Sequence, residues 1–229
     1  MIVNWNSVDL LRVTIKAIRH FTPGLEVVVV DNASSDGSRA WMREFGVGCL
    51  RLPANVGHEL ALDIGFLRVR TEYAVALDVD AFPISRGWLD RLLDPVRACS
   101  ADVSGVHVRG GFVHPCCLAM RTQRFVDRRH TFLPRRGRPL VDDADQDWAD
   151  RGWDTGWLIS LREPRRHLLD RTAVRGPGDL GSEWAGVVYH NFYSTRLDSK
   201  LPLSQVELEL GINRSEVFAA WEEAQARFL

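Results

Sequence analysis

Val27-Val28-Val29-Val30-Asp31-Asn32-Ala33-Ser34-Ser35-Asp36-Gly37-Ser38 sets a run of valines directly against a polar, turn-rich segment. Consecutive β-branched residues read as a strand buried on both faces, which is the pattern of a parallel strand covered by helices. A second stretch repeats the design. The apolar Tyr73 to Leu77 runs straight into Asp78-Val79-Asp80. In an open parallel sheet, ligands bind outside the carboxyl ends of the strands. Asp31, Asp78 and Asp80 are therefore predicted to converge on one crevice. Two carboxylates two residues apart at a strand end suit a divalent cation, Mn2+ or Mg2+, that also holds phosphate oxygens. Such a cation stabilises the charge that develops on a departing diphosphate.

Working outward, strand-like and helix-like segments alternate through the first half, as expected of a parallel sheet with crossover helices. Ile2 and Val3 open a first strand, and Ser7 is placed to cap a helix carrying Leu10, Leu11, Ile15 and Ile18. A helix from about Ser38, a strand at Cys49 to Leu52, a loop to Gly57 and a helix from His58 follow. Asp36 reads as a helix cap, and Ser85 as the cap of a helix bearing Trp88, Leu89, Leu92 and Val96. Further strands are predicted over 102–108 and 114–120, and a helix near Asp154. Val217, Trp221, Ala224 and Phe228 repeat at helical spacing.

The chain has 229 residues, 45% hydrophobic and 26% charged, which suits one soluble α/β domain. Its net charge of -1 gives no electrostatic case for nucleic acid as a partner. No apolar run approaches the roughly 20 residues of a membrane span, and no secretion signal is visible. Cys49, Cys99, Cys116 and Cys117 lack metal-binding spacing and suit reduced thiols. A cytoplasmic protein is expected, free or lying peripherally on a membrane, with a homodimer left open. The middle is polar: arginines (Arg124, Arg128, Arg129, Arg135, Arg136, Arg138) precede aspartates (Asp142, Asp143, Asp145, Asp147, Asp150). The arginines suit a diphosphate, an anionic acceptor or a solvated loop equally.

Three segments together resemble the family 2 glycosyltransferases, the inverting enzymes of GT-A fold. Val27 to Ser38 is similar to their donor-binding loop. Asn55-Val56-Gly57 with Gly65 is similar to the Asn-x-Gly segment that follows, and Ala76-Leu77-Asp78-Val79-Asp80 to the DXD motif. The opening Ile2 to Ser7 resembles their first strand. The resemblance implies an α/β GT-A fold: a mostly parallel sheet flanked by helices in a single domain spanning 1–229. Within it, about 1–100 would bind the nucleotide sugar, about 101–200 would face the acceptor, and about 203–229 would form a helical end.

The implied activity is inverting hexosyl transfer from a nucleotide-diphosphate sugar to a hydroxyl of a sugar, lipid-linked or natural-product acceptor. By the same resemblance Asp31 would bind the base, Asn55 would lie near the donor and Asp78 would contact the ribose. Asp80 and His190 would ligate the metal, Gly110 and Gly111 would border the acceptor, and Asp154 would be the general base, with Asp145 and Asp147 as substitutes. A base is needed because the attacking hydroxyl must lose its proton. Asp31 also suits a turn start, and His190, beside Tyr189, Phe192 and Tyr193, also reads as a core histidine. Two other functions compete: a degenerate transferase that binds a nucleotide sugar without turnover, and a haloacid-dehalogenase-type phosphohydrolase. The second expects Thr or Val where Phe82 stands, and a site lysine that Lys16 and Lys200 are poorly placed to provide. Gly176 to Gly181 spells a dinucleotide-binding pattern, but no clear strand precedes it.

Overall fold

The computed structural model of the chain describes residues 1–107, 111–134, 155–175, 180–191 and 214–229. The valine run forms β2 (Val28–Asp31), with Val29 and Val30 fully buried. It lies between β1 (Ile2–Asn4) and β3 (Gly48–Arg51), parallel to both, with Val30 opposite Val3 on one side and Leu50 on the other. The crossovers are α1 (Val8–Phe21), which buries Leu10, Leu11, Ile15 and Ile18, and α2 (Ser38–Glu44). After β3 comes α3 (His58–Phe66), then β4 (Tyr73–Leu77).

β4 continues the parallel run beside β1. The Met1 amine donates to Val75 O at 2.8 Å, and Leu77 N donates to Met1 O at 3.0 Å. Gly65 lets α3 approach this joint, since a Cβ there would collide with Met1 Sδ and lie 2.9 Å from Val30 Cγ2. On the far side of β4 the sheet turns mixed. β7 (Val113–Arg121) is antiparallel to both β4 and β6 (Val103–His107), and β6 is parallel to β8 (Arg166–Leu169). The link from β6 to β7 is too short for the crossover that parallel neighbours need. A second, antiparallel sheet has the order β5 (Ala81–Pro83), β11 (Val188–Asn191), β10 (Gly181–Trp184), β9 (Arg171–Arg175).

The remaining described helices are α4 (Trp88–Arg97), α5 (Thr122–Asp127), α6 (Trp157–Arg162) and α7 (Arg214–Phe228). The C-terminal periodicity is realised in α7. Val217, Trp221 and Ala224 are buried, with the Trp221 ring 5.1 Å from that of Phe82. The antiparallel sheet is held to this helix by Asn191, whose Nδ2 donates to Val217 O at 3.0 Å.

Two predicted caps are corrected. Ser7 Oγ turns back to Trp5 O at 3.0 Å, and Asp36 Oδ2 takes the first amide of α1 instead, Val8 N at 2.8 Å. Asp36 also accepts from Ser38 N at 3.0 Å, so one carboxylate serves the starts of α1 and α2. Ser85 Oγ donates to Gly186 O at 2.9 Å, and α4 starts after Gly87 in a left-handed conformation. Among the described residues, no helix is long and apolar enough to cross a membrane.

Candidate active site

Because β2, β1 and β4 are parallel, their carboxyl ends share one edge of the sheet. Asp31 ends β2 and Asp78 follows β4, two strand spacings away, or roughly 10 Å. Asp78 N donates to Cys116 O at 3.1 Å, and Ala81 N closes a turn onto Asp78 O at 3.1 Å. That turn carries Asp80 into β5. The register of the second sheet then delivers a histidine. His190 pairs with Ala81, and Asn191 N donates to Asp80 O at 3.0 Å.

The outcome is a cluster of three ligand-capable side chains. His190 Nε2 lies 3.4 Å from Asp80 Oδ1 and 3.9 Å from Asp78 Oδ2. Asp78, Asp80 and His190 each offer one atom within 4.8 Å of the others, and Asp80 and His190 are both 4% exposed. An octahedral cation with bonds of about 2.1 Å separates adjacent ligands by about 3.0 Å and opposite ligands by about 4.2 Å. The observed separations fall close to that range, and two carboxylates with one imidazole suit Mn2+ or Mg2+. The residues present therefore fit a divalent cation.

Two further histidines, unassigned by the sequence, border the cluster. His58, the first residue of α3, places Nε2 at 3.3 Å from Asp78 Oδ1. The His114 ring at the start of β7 lies 6.3 Å from that of His190. Burial pushes the Asp78 carboxylate up, but the contact with His58 and the charges of His58, His114 and His190 outweigh it. Together they hold Asp78 well below the usual carboxylate range. Burial likewise lowers His58, and Asp78, with Glu59 and Asp80 behind it, reverses the effect and raises it.

Asp31 is fully buried, and neither of its oxygens has a hydrogen-bond partner among the described residues. Arg39 lies beside it, with Nε 3.2 Å from Oδ2. Asn55 is exposed, and its Oδ1 is turned into its own loop, accepting from Asn32 Nδ2 and Gly57 N, both at 2.9 Å. Asn32, a residue the sequence did not single out, organises that loop. Its Oδ1 accepts from Val56 N at 2.9 Å, and its Nδ2 also donates to Gly57 O at 3.2 Å. Gly111 lies just before β7 with φ 69°, and its carbonyl accepts from Arg166 Nη1 at 3.4 Å. Gly110, Asp154, Asp145 and Asp147 lie outside the described residues. The strand-end argument that found Asp31 and Asp78, applied to the loop after β3, was the available signal for His58. A cavity of about 230 Å³ lined by Ile15, Arg19, Val27 and Gly48 lies at the other end of β2 and β3, away from the cluster.

A parallel βαβ half, an antiparallel β7 and a small second sheet that brings a histidine to strand-end carboxylates define a GT-A glycosyltransferase fold. The glycosyl transferase family 2 profile matches residues 1–150, and the chain belongs to that family. It is a glycosyltransferase. Among solved structures it is similar to mannosyltransferase PcManGT from Pyrobaculum calidifontis, in complex with GDP-Man and Mn2+. That likeness has a TM-score of 0.58 and 16% identity, covering 98% of this chain and 72% of that one. It is also similar to S. aureus TarS 1-349 in complex with UDP-GlcNAc, with a TM-score of 0.52 and 17% identity, covering 75% of this chain and 55% of that one. No curated protein sequence matches the chain significantly.

Proposed function

We propose that this glycosyltransferase moves a sugar, with inversion, from a nucleotide-diphosphate donor to an acceptor hydroxyl, assisted by a divalent cation. The observation that carries the reading is the convergence of Asp78, Asp80 and His190 at the strand ends, beside a buried Asp31 on the same edge. Asp80 and His190 hold the cation, and Asp78 contacts the donor ribose. When bound, the cation supplies a Lewis acid for the charge on the leaving diphosphate.

Asp31 receives the nucleobase. Its buried oxygens find no donor within the described protein, so a base N–H offers the hydrogen bond they lack. Arg39 beside it balances the charge. Asn55 lies at the donor, and Gly110 and Gly111 leave room for the acceptor. Asp154 takes the proton of the attacking hydroxyl as that oxygen bonds to the anomeric carbon from the face opposite the diphosphate. The exposed free thiols of Cys49 and Cys99 support a reducing, cytoplasmic setting.

The test is titration of UDP, dTDP and GDP with Mn2+ by calorimetry, followed by nucleoside diphosphate release from the matching sugar donors. Asp80→Ala is expected to lose the manganese-dependent binding; unchanged affinity would remove the metal assignment. Asp154→Asn is expected to bind donor as the wild type does and to lose transfer. Full activity in that variant moves the base to Asp145 or Asp147.

A further inference from the structure

We propose that Thr14 is the positioning residue for Asp80, the side chain on α1 whose hydroxyl sets the main chain that aims this carboxylate into the cluster. The inference rests on the reading of the strand-end cluster given above and adds to it a residue from the first crossover helix.

Thr14 is a polar residue in the middle of the buried face of α1, among Leu10, Leu11, Ala17 and Ile18, and it is itself fully buried. A threonine inside a helix ordinarily turns its hydroxyl to solvent or back to the carbonyl one turn earlier. Here Oγ1 reaches out of the helix instead. It donates to Val79 O at 2.7 Å, with Ala81 O at 3.2 Å as a second acceptor. Those two carbonyls belong to the residues on either side of Asp80. Val79 and Ala81 are buried as well, so water competes weakly for the hydroxyl, and the bond is stronger than it would be in solvent.

What the contact does follows from the two peptide planes that flank Asp80. The plane after it is held twice: Asp80 O accepts from Asn191 N at 3.0 Å, and Ala81 N donates to Asp78 O at 3.1 Å. The plane before it carries the Val79 carbonyl, and Thr14 holds that one. A residue has two soft backbone torsions, so fixing both adjoining planes fixes the direction in which its side chain leaves the chain. Asp80 Oδ1 then stands 3.4 Å from His190 Nε2. Without the hydroxyl, the Val79–Asp80 peptide loses this restraint, and the carboxylate drifts from the place it shares with the imidazole. Thr14 acts only through Asp80.

Four variants test this. Thr14→Val keeps the branched shape without the hydroxyl, Thr14→Ala removes both, and Thr14→Ser keeps the hydroxyl. Ile15→Val takes a methylene from the next position of α1, a side chain that lines the cavity at the other end of β2. UDP, dTDP and GDP are titrated by calorimetry over a series of Mn2+ concentrations, and metal-free melts are recorded alongside. Thr14→Val and Thr14→Ala are expected to need about tenfold more Mn2+ or beyond for half-maximal nucleotide binding, the usual scale for a residue that orients a metal ligand. Thr14→Ser stays within about threefold of wild type, because it keeps the hydrogen bond. Ile15→Val melts lower but needs no more Mn2+ than wild type does. Should the valine variant fail to fold, Thr14→Ala carries the same expectation.

An unchanged Mn2+ requirement in the valine or alanine variant overturns the role, as does a serine variant as weak as alanine. An Ile15→Val variant weakened to the same degree overturns it too, since the loss is then a general loosening of α1. Asp80→Ala in the same series separates the two levels. If it loses manganese-dependent binding while Thr14→Val does not, only the positioning role falls. If wild type binds none of the nucleotides, or Asp80→Ala binds as wild type does, the reading of the cluster falls and takes this inference with it.

Discussion

Two histidine–carboxylate clusters lie among the described residues, and they are built on opposite principles. At the strand ends, Asp78 and Asp80 meet His58 and His190 at 3.3–3.9 Å, with no arginine among these pairs. In the other half, fully buried Glu163 is gripped by Arg124, with Nε to Oε1 at 2.9 Å and Nη2 to Oε2 at 2.6 Å, while His130 Nε2 stands 2.6 Å from Oε1. Asp102 beside it takes a second fork from Arg165, at 3.0 and 2.6 Å. Planar forks matched to carboxylates complete each other's hydrogen bonds and leave nothing for a ligand. The looser cluster holds its carboxylates near one another with spare lone pairs. A closed network is scaffold; an open one has room for a ligand.

The same residue type records the difference. Burial lowers His130, and although Glu163 opposes it, the ring stays below its ordinary value. Burial lowers His58 too, but there Asp78 and its neighbours win and the ring is raised. The comparison also decides one question the sequence left open. Arg124 is bound into the Glu163 and Asp102 pairs, so it holds the fold and not a diphosphate.

The sharpest way to break this contrast is to remove one carboxylate from each cluster. Glu163→Ala takes this partner from buried His130 and leaves Arg124 only its longer 3.3 Å contact with Asp102 among the described residues, and breaking a buried pair costs about 3–5 kcal/mol. At about 2–4 °C per kcal/mol for a chain of this size, the thermal midpoint should fall by roughly 10 °C. Asp80→Ala removes a carboxylate that its neighbours satisfy only loosely. It should move the metal-free midpoint by no more than a few degrees while lowering manganese-dependent nucleotide affinity about a hundredfold. Calorimetry and thermal melts on both variants check the crossing. Equal melting losses would show that the two clusters do the same work.

His190→Ala sharpens the comparison within the open cluster. Losing one ligand while Asp80 remains should weaken manganese-dependent binding about 10–100-fold, with little change in the metal-free midpoint. A variant that binds as wild type does would return His190 to the core-histidine reading.

The pattern of what was legible follows from how far each feature reaches along the chain. The valine run, the helix face of α1 and the strand-end positions of Asp31 and Asp78 are local, and periodicity carries them. Asp80 and His190 are distant in sequence. Only the β5–β11 register brings them together, so composition and spacing offered no route, and the resemblance to family 2 enzymes supplied the pairing instead. The Glu163–Arg124 fork is invisible for the same reason: charge counting shows an arginine-rich middle but not which arginine is consumed. The Ser7 cap failed because the loop after β2 folds back, letting Asp36 reach Val8 N before the nearer hydroxyl does. The loop after β3 hid His58 behind Asn55, whose side chain turns into the loop while the histidine reaches the carboxylate.

The smallest expected effect tests the closed cluster through acid. Because the folded-state pKa of His130 lies below its unfolded value, the unfolded chain takes up this proton first as pH falls. Its influence is absent above about pH 6.5 and becomes destabilising below it, until the folded ring is protonated as well. One proton changes stability by no more than about 1.4 kcal/mol per pH unit, so acidification from pH 7 to 5.5 should cost a few degrees of thermal midpoint through this group. His167 is lowered in the same direction, by burial and then by Arg91, so the wild-type slope contains both. His130→Gln isolates one of them: it keeps an N–H for Glu163 but does not titrate, and its midpoint should depend less steeply on pH over that window. An identical slope in the two proteins would mean that the Glu163 network tolerates a charged His130, and that the ring is held by hydrogen bonding alone.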